Sequence, residues 1–260
     1  MSATPRPASS PQRRDLIAGL EKGLAVIEAF DQLQPRLTIG DIASRCQLTR
    51  AAARRYLITL THLGDVTSDG KTFALAAKVL RLGQSYMHSA RLPRIVQPEL
   101  NRLVSSLKEA SSAGVLDGDD VICVAASSVG RIVSATLQPG TRVPAYCTAN
   151  GRVLLAALPA DALETWLARQ TLTALTPHTL TRRERLRSEI DRTRTQAYAL
   201  VDQELELGLR TIAVPLRKHD DEVVAAINVS VHAASVSAER LVDICLPALQ
   251  QTQARLRPLL

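Results

Sequence analysis

Between Thr49 and Arg55 the sequence reads Thr-Arg-Ala-Ala-Ala-Arg-Arg, three guanidinium groups in seven residues. A guanidinium donates paired hydrogen bonds to phosphate or to a guanine edge, so a helix that carries several on one face can read duplex DNA. The outward face of such a helix offers Thr49, Arg50, Ala52, Arg54 and Arg55, and Ala51 and Ala53 are small enough for close backbone approach. Arg54 and Arg55 are expected to touch DNA. The rival reading is a bundle of short helices with solvated arginines. Upstream, Arg13-Arg14 could enter a minor groove as an arm, although such a pair is more often solvated tail. Asp117-Gly-Asp-Asp120 lacks the ligand spacing and the final Glu of a calcium loop and reads as a β-turn. At Asn150-Gly-Arg152 a helix opens, and the free N–H groups of a helix start attract anions. Read alone, that is also what an ordinary loop-to-helix junction looks like. Asp202-Gln-Glu204-Leu-Glu206 clusters carboxylates, which suits acid–base chemistry or, more simply, a solvated loop or an ion pair with Arg210. His62, His88, His178, His219 and His232 are scattered, with no HExxH, and no Cys has a visible base. With no GxGxxG and no P-loop either, the chain is expected to be no enzyme and to need no cofactor or metal.

These residues sit in a 260-residue chain, enough for one large domain or two unequal ones. An apolar fraction of 46% is enough to build a core, and no apolar run approaches membrane-spanning length, so a cytoplasmic protein without membrane attachment is expected. The net charge of +7 favours polyanionic partners, but aromatic residues, at 3%, are too few for a base-stacking single-strand binder. Cys46, Cys123, Cys147 and Cys245 lie far apart with no zinc spacing, as expected of reduced thiols.

Residues 1–14, rich in Pro, Ser and Arg, read as a flexible tail. Leu16, Leu20, Leu24 and Ile27, with Phe30 beside them, mark the inner face of a first helix that Gln34-Pro35 ends. Thr38 caps a second helix, with Asp41 where a capping box carries Glu, and Ile39, Ile42, Ala43 and Cys46 form its inner face. After a break at Gln47-Leu48, Thr49 caps a third helix that Gly64 stops. Two β-prone arms flank Asp69-Gly70, a hairpin with Lys71 at its tip. Three helices followed by a hairpin describe a winged helix-turn-helix over 15–76, which favours DNA reading over the plain bundle. Leu75, Val79, Leu82 and Tyr86 have the spacing of a paired helix, so 77–91 reads as a dimerising linker. Residues 92–260 read as α+β: a helix after Pro93, strands at Val115-Leu116, Val121–Ala126, Ile132–Leu137, Thr211–Leu216 and Val223–Val231 in a mixed, mostly antiparallel sheet, and helices from Asn150 to Leu158, over 160–169 and over 182–197. A last helix carries Leu241, Cys245, Leu249, Thr252 and Leu256, with a bend expected at Pro247.

Leu20-Glu-Lys-Gly-Leu-Ala-Val-Ile-Glu-Ala-Phe30, Leu37-Thr-Ile-Gly-Asp-Ile-Ala43, Leu48-Thr-Arg50 and Leu60–Gly64 resemble the winged N-terminal domain of the IclR family. Pro144-Ala-Tyr-Cys-Thr-Ala-Asn-Gly-Arg-Val-Leu-Leu-Ala156 and Asp202-Gln-Glu-Leu-Glu-Leu-Gly-Leu-Arg-Thr-Ile-Ala-Val-Pro215 resemble the two signature blocks of its effector domain. The likeness runs from about Asp15 to the end. Thr49–Arg55, Val115–Asp120 and Tyr146–Thr148 look most like the subgroup that governs protocatechuate and 4-hydroxybenzoate breakdown in the β-ketoadipate pathway. Two departures concern the DNA-reading part. Gln47 stands where many members have Gly, and Ala51-Ala52 replaces a common Ser-Thr pair, which removes hydroxyl contacts to phosphate.

The resemblance implies a GAF-like effector domain, a dimer or dimer of dimers, and a small organic acid as effector. Carried over by position, the effector pocket is lined by Cys147, Thr148, Ala149, Asn150 and Gly151, by Asp202 and Glu204, and by Thr211, Asn228 and Ser230. The DNA-binding set is Arg13, Arg14, Thr38, Thr49, Arg50, Ala51, Ala52, Arg54, Arg55 and Lys71. Expected partners are double-stranded DNA at a pseudo-palindromic operator, the acid, a second copy of the chain, and RNA polymerase. The competing functions are a DNA binder blind to metabolites and, with less support, an enzyme bearing a DNA-binding appendage.

Overall fold

Thr38 and Thr49 each begin a helix with their side chains. Thr38 Oγ1 accepts from the Asp41 N–H at 3.3 Å while the Thr38 N–H donates to Asp41 Oδ2 at 2.8 Å, so Asp41 completes the capping box. Thr49 Oγ1 accepts from the Ala52 N–H at 3.2 Å. The structure is a computed structural model that describes residues 13–31, 33–128 and 138–260. Most of the tail expected over 1–14, and the strand expected over Ile132–Leu137, lie outside the described residues. The chain divides into two units, 1–86 and 87–260.

The first unit holds α1 (Ala18–Glu28), α2 (Ile39–Arg45), α3 (Arg50–Leu63), the hairpin β1 (Val66–Ser68) and β2 (Phe73–Leu75), and the start of α4 (Leu80–Ser89). Val26, Leu37, Ile42, Ala43, Ala53, Leu57, Leu60 and Val66 form its core. Gly64 ends α3 at φ 78°, where a Cβ would be strained. The hairpin forms around Asp69-Gly70, but its loop spans four residues, in which Asp69 Oδ1 accepts from the N–H groups of Lys71 and Thr72 at 2.9 and 2.7 Å. Arg36 clamps the wing to the helical part, donating to Asp69 at 2.7 Å and to Thr72 Oγ1 at 3.0 Å.

Three expectations need correction here. The stripe Leu16, Leu20 and Leu24 is not the inner face of α1: these side chains are 51, 61 and 45% exposed. Val26 is buried and Ile27 and Phe30, as expected, pack against the core; half-buried Gly23 and exposed Gly19 lie beside Tyr56 of α3, from which an added Cβ at either would stand 4.0 Å. The helix also ends at Glu28, before Gln34-Pro35. Leu75 belongs to β2, and a 3-10 turn over Ala77–Val79 precedes α4, so the linker helix starts later than its spacing suggests.

The second unit is a six-stranded sheet in the order β5-β4-β3-β8-β7-β6, formed by β3 (Ala110–Asp117), β4 (Asp120–Ser127), β5 (Arg142–Pro144), β6 (Ala199–Asp202), β7 (Leu209–Arg217) and β8 (Val223–His232). Among the described residues every pairing is antiparallel, so the sheet is not mixed. Alternation divides its two faces. Ile212, Val214 and Leu216 of β7 and Ile227 and Val229 of β8 pack on α5 (Arg91–Leu107) and α9 (Ala238–Leu256). Ala213 and Ala226 turn to the other face, under α6 (Ala149–Ala156), α7 (Ala160–Arg169) and α8 (Arg183–Gln196). Pro93 and Pro98 both fall inside α5, and α9 is assigned as one helix through Pro247.

Candidate functional site

The α3 face is built by its cap and core. With Ala53, Leu57 and Leu60 buried, the helical period turns Arg50, Ala51, Arg54 and Arg55 to solvent, and Ala52 is half-buried. Among the described residues none of the three arginines has an ion-pair partner, so each is available to an anion. Thr49 is held by its cap bond. Thr38 is held twice, since its hydroxyl also donates to Asp41 Oδ2 at 2.7 Å, and those bonds keep the Asp41 carboxyl below its ordinary value. Lys71 is exposed at the wing tip beside Gly70. Arg14 is exposed with Asp15 at 4.0 Å, in a short 3-10 turn with Arg13.

The second candidate lies in the other unit. Every residue of α6 is buried, Asn150 and Arg152 included. Gly151 permits this, since a Cβ there would stand 2.1 Å from the Ala145 carbonyl oxygen. Thr148 caps the helix by accepting from the Gly151 N–H at 3.2 Å, and its carbonyl takes the Arg152 N–H. The N–H groups of Ala149 and Asn150 have no carbonyl partner among the described residues, as a helix start leaves them. In front of this end lies a cavity that is partly open to solvent.

Of the ten positions carried over as effector contacts, Cys147, Thr148, Ala149, Asn150, Thr211, Asn228 and Ser230 line this cavity. Gly151, Asp202 and Glu204 do not. Gly151 is packed on Ala145. Asp202 pairs with Arg210 at 2.8 Å, the plain alternative for that carboxylate cluster. Glu204 is buried against Arg152, with 2.6 Å between Oε2 and Nη2 and side chains 8% and 3% exposed. The sequence reading missed Ser112, Val121, Cys123, Val143, Val201, Leu205 and Leu209. A signal for several of them was present, because 121/123, 209/211 and 228/230 are alternate positions that share one sheet face.

Among the described residues no charged side chain lines the cavity. Burial first, and then the neighbouring Glu204 carboxylate, pushes the Cys147 thiol up to about 12; burial pushes Cys123 up to about 11. Both are therefore neutral thiols at physiological pH. The Asp117–Asp120 turn is occupied by arginines: Arg142 reaches Asp117 at 2.6 Å and Asp120 at 3.1 Å, and Arg169 reaches Asp119 at 2.6 Å. Among the described residues, no helix is long and apolar enough to cross a membrane.

Comparison with known proteins accounts for both parts. Residues 19–70 match the IclR helix-turn-helix domain, and residues 84–256 match the C-terminal domain of the bacterial transcriptional regulator IclR. The chain is 45% identical over 236 residues to the Pca regulon regulatory protein of Pseudomonas putida, covering 90% of this chain and 81% of that one. It is 37% identical over 262 residues to the p-hydroxybenzoate hydroxylase transcriptional activator of Acinetobacter baylyi, covering 99% and 97%. A solved inducer-binding domain of an Acinetobacter PobR transcription factor, a double mutant in complex with 3-hydroxybenzoic acid, superposes with a TM-score of 0.62 at 32% identity over 66% of this chain and all of that one. By its helix-turn-helix, its antiparallel effector sheet and these matches, the chain belongs to the IclR family of bacterial transcriptional regulators.

Proposed function

We propose that the chain switches genes of aromatic-acid catabolism by binding a pseudo-palindromic operator through α3 and an organic acid at the N-terminal end of α6. The observation that carries this reading is the pairing, in one chain, of an unpartnered arginine face with a buried cavity that ends on free helix N–H groups. In this reading Arg50, Arg54 and Arg55 meet the major groove, with Ala51 and Ala52 allowing close approach, and Thr49 and Thr38 hold the helices in place. Lys71 touches the backbone, and Arg13 and Arg14 lie along the entering arm. The acid's carboxylate takes the N–H groups of Ala149 and Asn150, with Cys147, Thr148, Thr211, Asn228 and Ser230 around it. The two relatives named for Pca and p-hydroxybenzoate control support protocatechuate, 4-hydroxybenzoate or β-ketoadipate as the effector.

A second copy completes the assembly. Leu16, Leu20 and Leu24 on α1, and Leu80, Leu82 and Tyr86 on the linker helix, are exposed apolar side chains. Covering them with the same surface of a partner gives a dimer, or a dimer of dimers, and hence an operator with two half-sites. The protein works in the cytoplasm, and the sign proposed is activation through contact with RNA polymerase, after the Acinetobacter relative named as an activator. The acid shifts the balance only in so far as it binds one arrangement of the heads better than the other.

The test is binding of the chain to its own promoter, with and without the acids. Arg54→Ala and Arg55→Ala should each weaken operator binding by about 1–3 kcal/mol where the side chain reads a base. Equal affinity for the promoter and for random duplex at physiological salt, unaltered by any of the acids, refutes the reading.

A further inference from the structure

Asn150 stands apart among the polar groups of the cavity. It is the second residue of α6 and only 5% exposed, yet its Oδ1 is buried with no hydrogen-bond partner. Among the described residues its Nδ2 has no partner either. Buried amides are nearly always satisfied, and one left alone is a cost that something must offset. Space has been kept for it: a Cβ at Gly114, below it on β3, would lie 3.3 Å from Asn150 Nδ2 and 2.4 Å from Val121 Cγ1. The other side-chain oxygens on the sheet face are engaged. Asn228 Oδ1 accepts from the Ser112 N–H at 3.0 Å and from Ser112 Oγ at 3.2 Å, and Thr211 and Ser230 pair through their hydroxyls at 3.1 Å.

Resting on the reading that the cavity takes an organic acid, we infer that Asn150 is its specificity residue: the side-chain amide binds a second oxygen of the effector, a hydroxyl or oxo group distinct from the carboxylate. The carboxylate is met by backbone N–H groups, which any acid satisfies equally and which therefore select nothing beyond the charge. The amide does select. Oδ1 accepts from a hydroxyl and Nδ2 donates to an oxo group, whereas an unsubstituted monocarboxylic acid leaves the amide without a partner. A site with a buried hydrogen-bonding group rejects an analogue that lacks the matching group far more strongly than an apolar pocket rejects a missing methylene.

The test is calorimetry on the full chain with two matched pairs of acids, 4-hydroxybenzoate against benzoate and 3-oxohexanoate against hexanoate. Expected is a preference of at least about ten-fold for the oxygenated member of the pair that binds, which falls to about one in Asn150→Ala and Asn150→Leu. The two pairs separate a hydroxyl from an oxo group as the feature read. Two variants are used so that a folding defect in one leaves the other to decide. A wild-type chain that does not distinguish the members of either pair, or variants that keep the wild-type ratio, overturns the role of Asn150 alone. Absence of heat from all four acids overturns it together with the effector reading.

Discussion

Removing the Glu204 carboxylate should be among the most damaging single changes available to the effector unit. Its Oε2 accepts from Arg152 Nη2 at 2.6 Å and from the Leu180 N–H at 3.1 Å. Its main-chain carbonyl separately accepts from Thr179 Oγ1 at 2.6 Å, so only the side-chain bonds are lost on truncation. Glu204→Ala leaves a guanidinium that is 3% exposed, whose Nε already lacks a partner, with no counter-charge, and it strands the Leu180 N–H. Breaking one side of a buried pair costs about 3–5 kcal/mol, a large share of the roughly 5–15 kcal/mol that holds a domain folded. Replacing both partners, as in Arg152→Met with Glu204→Leu, removes the orphaned charge together with its partner and should recover most of the loss. The assay is built into the chain. Its one tryptophan, Trp166, is buried in this unit and donates to the Gly118 carbonyl at 3.1 Å, so its fluorescence follows the unfolding of the effector unit. At a urea slope of about 2–3 kcal/mol/M, the midpoint of Glu204→Ala should fall by about 1–2 M. A loss under about 1 kcal/mol, or a double variant no better than the single one, would refute the claim that this pair is a buried charge balance.

Two further outcomes are expected. Gln47 holds φ 53° in the turn between α2 and α3, a conformation that costs an ordinary residue about 1–2 kcal/mol, so Gln47→Gly should raise the thermal midpoint of the DNA-reading unit, and an unchanged or lower midpoint in a melt followed by circular dichroism counts against it. Cys147 titrates near its ordinary value of 9.0 when unfolded and at about 12 when folded, so the folded chain holds the extra proton in between and stability falls as pH rises through that window; Cys147→Ser should flatten the fall in urea midpoints measured above pH 9, and identical slopes would argue against burial of the thiol.

What could be read from the sequence was mostly what is decided locally. Thr38 with Asp41, Thr49, Gly64 and Asp69-Gly70 each fix the backbone within three or four residues, and each lies where its residue type points. The helical face of α1 was misread because apolar side chains were counted and glycines were not. The surface that meets Tyr56 is made by Gly19 and Gly23, and the leucines are left to the outside. The first half of β3 was missed for a related reason. Ala110-Ser-Ser-Ala-Gly114 has no β-branched residue, and it is a strand because β4 and β8 pair with it on both sides.

The candidate effector site divides along the same line. Its helix start was legible from Asn150-Gly-Arg152, although the cap itself, Thr148, was not singled out. Its lining was legible only in part: alternation puts Val121 with Cys123 and Leu209 with Thr211, but Val201 looks like any core residue until the strand order places β6 beside β7. Glu204 misled in the opposite direction. A carboxylate in a signature block suggests ligand contact, yet its partner is Arg152, a residue type that seldom goes fully inside. Because α6 is buried on every side, Arg152 cannot reach water, and the fold must supply a counter-charge from the β6–β7 connection. That connection is thereby fixed to the helix that faces the cavity, while Leu205, the next residue, lines the cavity itself. The carboxylate therefore matters to the site through where it holds its neighbour, a role that no count of residue types along the chain can separate from direct contact.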